Sequence, residues 1–321
     1  MNKFKIIALL FAATALTASV SAQTVEEVTA KYNEAGAAYQ AKDFAKAATL
    51  FEEAIQQGAE AGPDAQQIVN QSQTLYLACL MQQGLAMATQ QNYTGAIEMF
   101  TQTRDRAELY GNAQIMRQAA QRLGQVYFVS GADAYNNERY EEAIGIFSQG
   151  FAADDTNTDM GLNLARSYDK VGNLDKAVET YNKIIALESR HSRYAEAAAT
   201  AKEELGLAIL AKASEAATAD NTDEVLRLTA LAIEADSTNT MASMMRLQTV
   251  NNLKNYAAVI EYGEATAEAQ TDEALKSDAY FMLGAAYQNQ GNTAKAIEAF
   301  RKVTAGNSAA QAKSLITELS K

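Results

Sequence analysis

Tryptophan is absent from the 321 residues, and proline, cysteine and histidine occur once each, as Pro63, Cys79 and His191. A lone thiol excludes an internal disulfide framework. Cys79 stands among Leu75, Tyr76 and Leu80 and reads as a small buried hydrophobe. A lone imidazole forces every histidine-based triad through His191, which sits in Ser189-Arg190-His191-Ser192, flanked by cations and without a nucleophile motif. Zinc finds no ligands beyond scattered carboxylates, and no glycine-rich phosphate loop occurs. Past the first 22 residues no stretch is apolar enough to span a bilayer, so stable membrane insertion is not expected. Basic residues are also in deficit: 27 Lys and Arg against 39 Asp and Glu give a formal charge of −12. Such a surface argues against nucleic acid and anionic lipid heads as partners. No catalytic residue, cofactor or resident metal is expected.

What is present begins with an N-terminal leader. Lys3 and Lys5 precede an uncharged run from Ile6 to about Val20, and Val20-Ser21-Ala22 places small residues where a signal peptidase cuts. Residues 1–22 read as a signal peptide, so the expected location is periplasmic, or extracellular if the host has a single membrane. Gln23 rather than cysteine follows the cut, which leaves no thiol for lipid attachment.

Along the rest of the chain a punctuation recurs: a turn, a bulky anchor, a small residue three places on and an aromatic seven places on. Tyr140, Ala143 and Phe147 show it cleanly. It returns at Phe44/Ala47/Phe51, Tyr93/Ala96/Phe100, Leu174/Ala177/Tyr181 and Thr293/Ala296/Phe300, and in decayed form at Thr222/Val225/Thr229 and Tyr256/Val259/Gly263. Nine residues before the anchors lie Ala35, Gly84, Gly131, Ala165, Ala213, Leu247 and Gly284, mostly small enough for two helices to approach closely. Gly or Asn stands just before most anchors, as in Gly172-Asn173 and Gly291-Asn292, and both tolerate the left-handed conformation that ends a helix. Each unit therefore reads as helix, short turn, helix.

This pattern resembles the tetratricopeptide repeat. The resemblance is fullest in residues 160–189, through Leu164, Ala165, Tyr168, Gly172, Ala177 and Tyr181, and in residues 280–307, through Leu283, Gly284, Tyr287, Gly291, Ala296 and Phe300. It implies an all-α, right-handed superhelical solenoid of stacked antiparallel helix pairs, with a concave groove lined by the first helix of each pair. The array is expected over residues 23–307 as about seven units, followed by a capping helix over 308–321 with Leu315, Ile316 and Leu319 on one side. Two departures stand out. No proline closes the second helices, where Asp154-Asp155, Glu188-Ser189 and Asp236-Ser237 occupy the turns. The anchors are 34 residues apart twice and 37 once, but 47 to 49 apart in the other three intervals. The extra length predicts continuous helices over residues 64–90, 112–137 and 192–219, each with a projecting stretch beyond the usual hairpin that packs on neighbouring long helices.

The groove is traced by two positions. Twelve residues before the anchors stand Tyr32, Met81, Phe128, Leu162, Leu210, Met244 and Phe281, which form either a greasy floor or the packing between hairpins. Five before stand Tyr39, Ala88, Tyr135, Asp169, Ala217, Asn251 and Gln288, mixed in character as a groove wall is. The cationic clamp with which some family members grip a C-terminal carboxylate is missing. Only Arg166 offers a cation at the matching positions, with Asp169 three residues on where it can pair with it. The candidate partner-binding residues are Tyr32, Tyr39, Phe128, Tyr135, Arg166, Asp169, Phe281 and Gln288. Asp155, Asn157 and Asp159 open like a calcium loop, but Met160 takes the place of the turn glycine and Arg166 that of the closing glutamate, so they read as an acidic turn starting a helix at Thr158. The function expected is a non-catalytic scaffold of the bacterial cell envelope that binds a protein or peptide segment in its groove. The alternative is a periplasmic ligand-binding or transport-accessory protein.

Overall fold

A computed structural model describes residues 24–321; the leader lies outside the described residues. Among these residues there are fifteen α-helices and no strand. They form seven consecutive pairs and one terminal helix: α1 (Val25–Gln40) with α2 (Phe44–Ala61), α3 (Gln66–Thr89) with α4 (Tyr93–Leu109), α5 (Ala113–Asn136) with α6 (Tyr140–Ala153), α7 (Thr158–Lys170) with α8 (Leu174–Leu187), α9 (Ala195–Thr218) with α10 (Thr222–Ala235), α11 (Thr240–Asn252) with α12 (Tyr256–Ala269), α13 (Glu273–Asn289) with α14 (Thr293–Arg301), then α15 (Ser308–Leu319). The helices gather into two compact units, Met1–Tyr127 and Phe128–Lys321, whose boundary falls inside α5.

Local chemistry sets the hairpins. All seven anchors are the first residue of a second helix. Two residues before each, the backbone is left-handed, with φ between 55° and 74°, at Lys42, Gln91, Glu138, Gly172, Asp220, Lys254 and Gly291. The next residue donates its N–H five residues back, as Asn92 does to the Met87 carbonyl at 2.9 Å and Asn292 to Tyr287 at 2.9 Å, so each first helix closes in a Schellman motif. That same residue caps the second helix. The side chains of Asp43, Asn92, Asn173, Asn221, Asn255 and Asn292 each accept from an N–H three residues on. Arg139 has no such oxygen and instead holds Asp133 and Glu142, each at 2.6 Å.

The small positions are buried notches. Ala47, Ala96, Ala143, Ala177, Val259 and Ala296 are fully buried, and so are Ala35, Ala165 and Ala213. A Cβ on Gly84, Gly131 or Gly284 would stand 2.7, 2.6 or 2.6 Å from the ring of Phe100, Phe147 or Phe300, the aromatic seven past each anchor. Close approach of the two helices is therefore what requires glycine there. Between pairs, Asp154 and Asp236 do the turning in place of proline: the Oδ1 of each accepts from the N–H and hydroxyl of Thr156 or Thr238 at 2.6 to 3.1 Å. Asn157 caps α7 by accepting from the Met160 N–H at 3.1 Å, the turn-and-cap role read for that acidic stretch.

The long helices differ from expectation. Each has 24 residues, and α3 and α9 begin only after short 3-10 turns at Pro63–Ala65 and Ser192–Tyr194. In α3 and α9 the added length packs on the preceding second helix. Val69 in α3 lies so close to α2 that a Cβ on Gly58 would meet it at 2.3 Å. In α9, Ala198 and Ala201 are buried and Lys202 reaches Glu188 at the end of α8 at 3.1 Å. The extra turns carry small or apolar residues on one side, and burying them against the preceding helix costs less than leaving them in water. At the C-terminal end, Leu315, Ile316 and Leu319 of α15 pack on the cluster built from α11 to α14.

Candidate functional site

The candidate residues fall into three settings. In the first unit, Tyr32 leans on Phe51 with ring centroids 5.8 Å apart, and Tyr39 meets Phe44 edge-on at 5.4 Å. In the second, Phe128 and Phe281 do the same against Phe147 and Phe300, at 6.5 and 5.6 Å. These aromatics pack within their own hairpins while remaining half-exposed. Leu162, Leu210 and Met244 at the same register are buried. Gln288 is half-buried near the end of α13.

Tyr135, Arg166 and Asp169 come together. They border a recess of about 300 Å³ in the second unit, whose other walls are Lys170, Tyr181, Glu204, Leu207, Ala208 and Ala211. Three first helices, α5, α7 and α9, supply most of it. Each reaches the recess because the hairpin turns hold first helices in the same register: Tyr135 and Asp169 stand five residues before their anchors, and Arg166 stands eight before.

Arg166 does not pair with Asp169. Its Nε donates to Glu204 Oε2 at 2.9 Å and its Nη2 to Oε1 at 2.5 Å, a bidentate bridge from α7 to α9. The Tyr181 hydroxyl donates to the same Oε2 at 3.1 Å. Burial first, then the Glu204 charge, pushes the Tyr181 phenol far above its usual range, and the Glu204 hydrogen bonds hold Arg166 firmly protonated. The cation of the groove is thus already neutralised, whereas Asp169 has no ion pair or side-chain hydrogen bond among the described residues. Tyr135 meets Tyr140 edge-on at 5.3 Å and remains half-buried. Leu207 projects from α9 with 61% of its surface exposed.

Two larger recesses lie elsewhere in this unit. One of about 590 Å³ runs between the second helices α6 and α8, over Phe151, Leu164 and Tyr168. Its rim is already ion-paired: Glu179 bridges Lys176 and Lys183 at 2.7 and 2.8 Å. Another, of about 700 Å³, is open beside the α7–α8 turn and is edged by the pairs Lys212–Glu215 and Arg227–Glu224. Size favours both, but they consist largely of solvated side-chain pairs around shallow clefts. The 300 Å³ recess combines exposed apolar wall, aromatic and uncompensated charge, the mixture binding clefts use.

His191 is fixed by a local task. Its Nδ1 accepts from the Arg193 N–H at 3.0 Å, capping the short turn that precedes α9. No group of three or more His, Cys, Asp or Glu side chains suited to a metal occurs among the described residues, and no helix there is long and apolar enough to cross a membrane.

Family profiles described as tetratricopeptide repeat match residues 12–65, 134–201 and 277–305. The chain is a tetratricopeptide-repeat protein. No curated protein matches it. Among solved structures, this repeat protein is similar to a tetratricopeptide repeat protein from Parabacteroides merdae, at 14% identity over 92% of this chain and 100% of that one, with a TM-score of 0.29. It is also similar to the TPR2AB domain of yeast Sti1, solved as a complex with pHSP90, at 16% identity over 76% and 98%, TM-score 0.32. A third is YrrB, titled a TPR protein with an unusual peptide-binding site, at 15% identity over 56% and 83%, TM-score 0.29.

Three residues of the recess escape sequence reading. Glu204 and Leu207 lie in a 24-residue helix whose start, and hence whose register against α7, depends on where the preceding 3-10 turn ends. Tyr181 reads as core, being nearly fully buried, yet its hydroxyl reaches the recess through Glu204. The one available signal is the apolar Leu207 on a face otherwise carrying Glu203 and Glu204.

Proposed function

We propose that this repeat protein is a non-catalytic scaffold that binds a segment of a protein partner along the first-helix face, with the recess between α5, α7 and α9 as its principal contact. The observation that carries this is the convergence of three first helices on one recess where Leu207 is exposed and Arg166 is neutralised by Glu204. An exposed large apolar side chain beside a satisfied ion pair is a surface that gains by being covered. Repeat architecture supports the reading, since each helix pair packs mainly on its neighbours and first-helix side chains are left for a partner. The leader supports action in a bacterial envelope after export, with the mature chain beginning at Gln23.

The test is a photo-crosslinking side chain placed at Leu207 and, separately, at exposed Glu141 on the second helix α6, in cells of the native host. The expected result is one dominant adduct from position 207 that is lost with Tyr135→Ala, and none from 141. Adducts from 141 alone would move the site to the second-helix face. N-terminal sequencing of the protein from fractionated cells tests the export reading; a chain still starting at Met1 in the cytoplasmic fraction contradicts it.

A further inference from the structure

We infer that the recess selects a basic side chain, Lys or Arg, set beside a bulky apolar residue of the partner segment. This rests on the peptide-binding reading above and adds to it the chemistry of the occupant. The first ground is the charge left over inside the recess. Arg166 gives two of its five N–H donors to Glu204, which also accepts from the Tyr181 hydroxyl, so its charge is already paired and an incoming carboxylate would meet the Glu204 charge beside it. Asp169 is the opposite case: half-buried, lining the recess, and without an ion pair among the described residues.

The second ground is the setting of that carboxylate. Tyr135 borders the same recess, so a guanidinium or ammonium on Asp169 also lies beside an aromatic ring. Leu207, Ala208 and Ala211 form an apolar wall for the neighbouring side chain. Lys170 stands at the rim and is exposed, where its ammonium is screened by solvent. The third ground is the field around the recess: residues 128–321 carry 18 Lys and Arg against 28 Asp and Glu, a net −10. That field draws in cationic segments and repels acidic ones.

The experiment uses the mature full-length chain and three labelled peptides of the form Gly-Leu-X-Leu-Gly, with X as arginine, citrulline or glutamate, and measures fluorescence anisotropy. Citrulline keeps the shape of arginine and removes its charge. The expected order is arginine tightest, about tenfold over citrulline, the value of one charge-assisted hydrogen bond, with glutamate weakest. Asp169→Asn removes most of the arginine preference without changing citrulline affinity, and Leu207→Ala weakens both peptides alike. Both sites are at the surface, and an unchanged far-UV circular dichroism spectrum verifies the fold of each variant. Equal affinity for arginine and citrulline, or a preference undiminished by Asp169→Asn, overturns the inference while a Leu207 effect leaves the peptide-binding reading standing. Affinity indifferent to both Leu207→Ala and Tyr135→Ala overturns both.

Discussion

The same substitution, glycine to alanine, should have opposite signs at two helical positions of this protein. Gly145 lies exposed in α6 with nothing within 4 Å of where a Cβ would stand. Alanine there removes backbone freedom from the unfolded chain and should stabilise by about 0.5–1 kcal/mol. Gly284 lies in α13, where the added carbon would meet Phe300 Cδ1 and Cε1 at 2.6 Å. Comfortable carbon–carbon separation is about 3.5–4.0 Å, so ring or helix has to retreat by about 1 Å, and overpacking of this kind costs about 1–3 kcal/mol. The first pair bounds the cost from above. Ala35 and Phe51 hold the same two places there and are both fully buried, so a slightly wider hairpin accommodates alanine. Taking the lower half of the overpacking range, about 1–2 kcal/mol, and subtracting the helix-propensity gain of about 1 leaves Gly284→Ala destabilised by about 0.5 kcal/mol.

Urea unfolding followed by far-UV circular dichroism reads both variants. Because repeats are coupled mainly to their neighbours, the loss should be local, with faster amide hydrogen exchange in α13 and α14 and little change in α1 and α2. Phe300→Leu in the Gly284→Ala background should cost less than the same change in the wild type, since the ring that alanine crowds has gone. If Gly284→Ala raises the urea midpoint as much as Gly145→Ala does, the notch is not a contact and the packing argument fails.

Ser72 is fully buried in α3 and its hydroxyl has no hydrogen-bond partner; Ser72→Ala should raise stability by about 1 kcal/mol, and a loss in the same urea assay would show that the hydroxyl is satisfied in solution. Burial pushes the Cys79 thiol up to about 11, so reaction with a disulfide reagent at mildly alkaline pH should be very slow in the folded protein and fast in urea; rapid labelling without denaturant would contradict its burial. Hydrogen bonds from Lys176 and then Lys183 hold the Glu179 carboxyl down at about 2, against an ordinary 4.5. Because the folded value is the lower one, this contribution is present above the ordinary value and disappears as pH falls from 4.5 towards 2; a carboxyl NMR titration should show it, and Lys176→Gln with Lys183→Gln should return Glu179 towards 4.5.

The hairpins were legible because their determinants are local. The left-handed residue and the Asn or Asp cap act within the turn itself, and the small residues nine before and three after the anchor act within one hairpin. Even the weak units at Thr222 and Tyr256 begin their second helices at the anchor. The site was legible only in part. Register placed Tyr135, Arg166 and Asp169 on one face, but the partner of Arg166 depends on how α7 and α9 slide past one another. That is fixed by the length of the segment between α8 and α9 and by the 3-10 turn at Ser192–Tyr194, neither of which follows from periodicity. The lengthened helices illustrate the same limit. Their existence followed from the spacing of the anchors, whereas their close seating on the preceding helix, as at Gly58 and Val69, depends on shape.

Sequence decay in the sixth pair is a redistribution of volume rather than a loss of packing. There the small first-helix place is taken by Leu247 and the aromatic place by Gly263, the reverse of Gly284 with Phe300. Leu247 is fully buried, and a Cβ on Gly263 would meet Leu283 of the next pair at 3.2 Å, so the room given up by the missing aromatic is filled from the neighbouring hairpin. Native interiors hold nearly constant density, which lets a large residue change sides provided a small one changes with it. Positions under that constraint are poorly placed to encode a partner, because any change there must be matched by another. The first-helix face is under no such requirement: Ala132, Arg166, Ser214, Gln248 and Ala285 occupy one register with no shared size or charge. Differences on that face alter what the protein touches without altering how it stacks. On the proposed reading, Asp169 and Leu207 are the residues of that face through which a uniform scaffold acquires a particular partner.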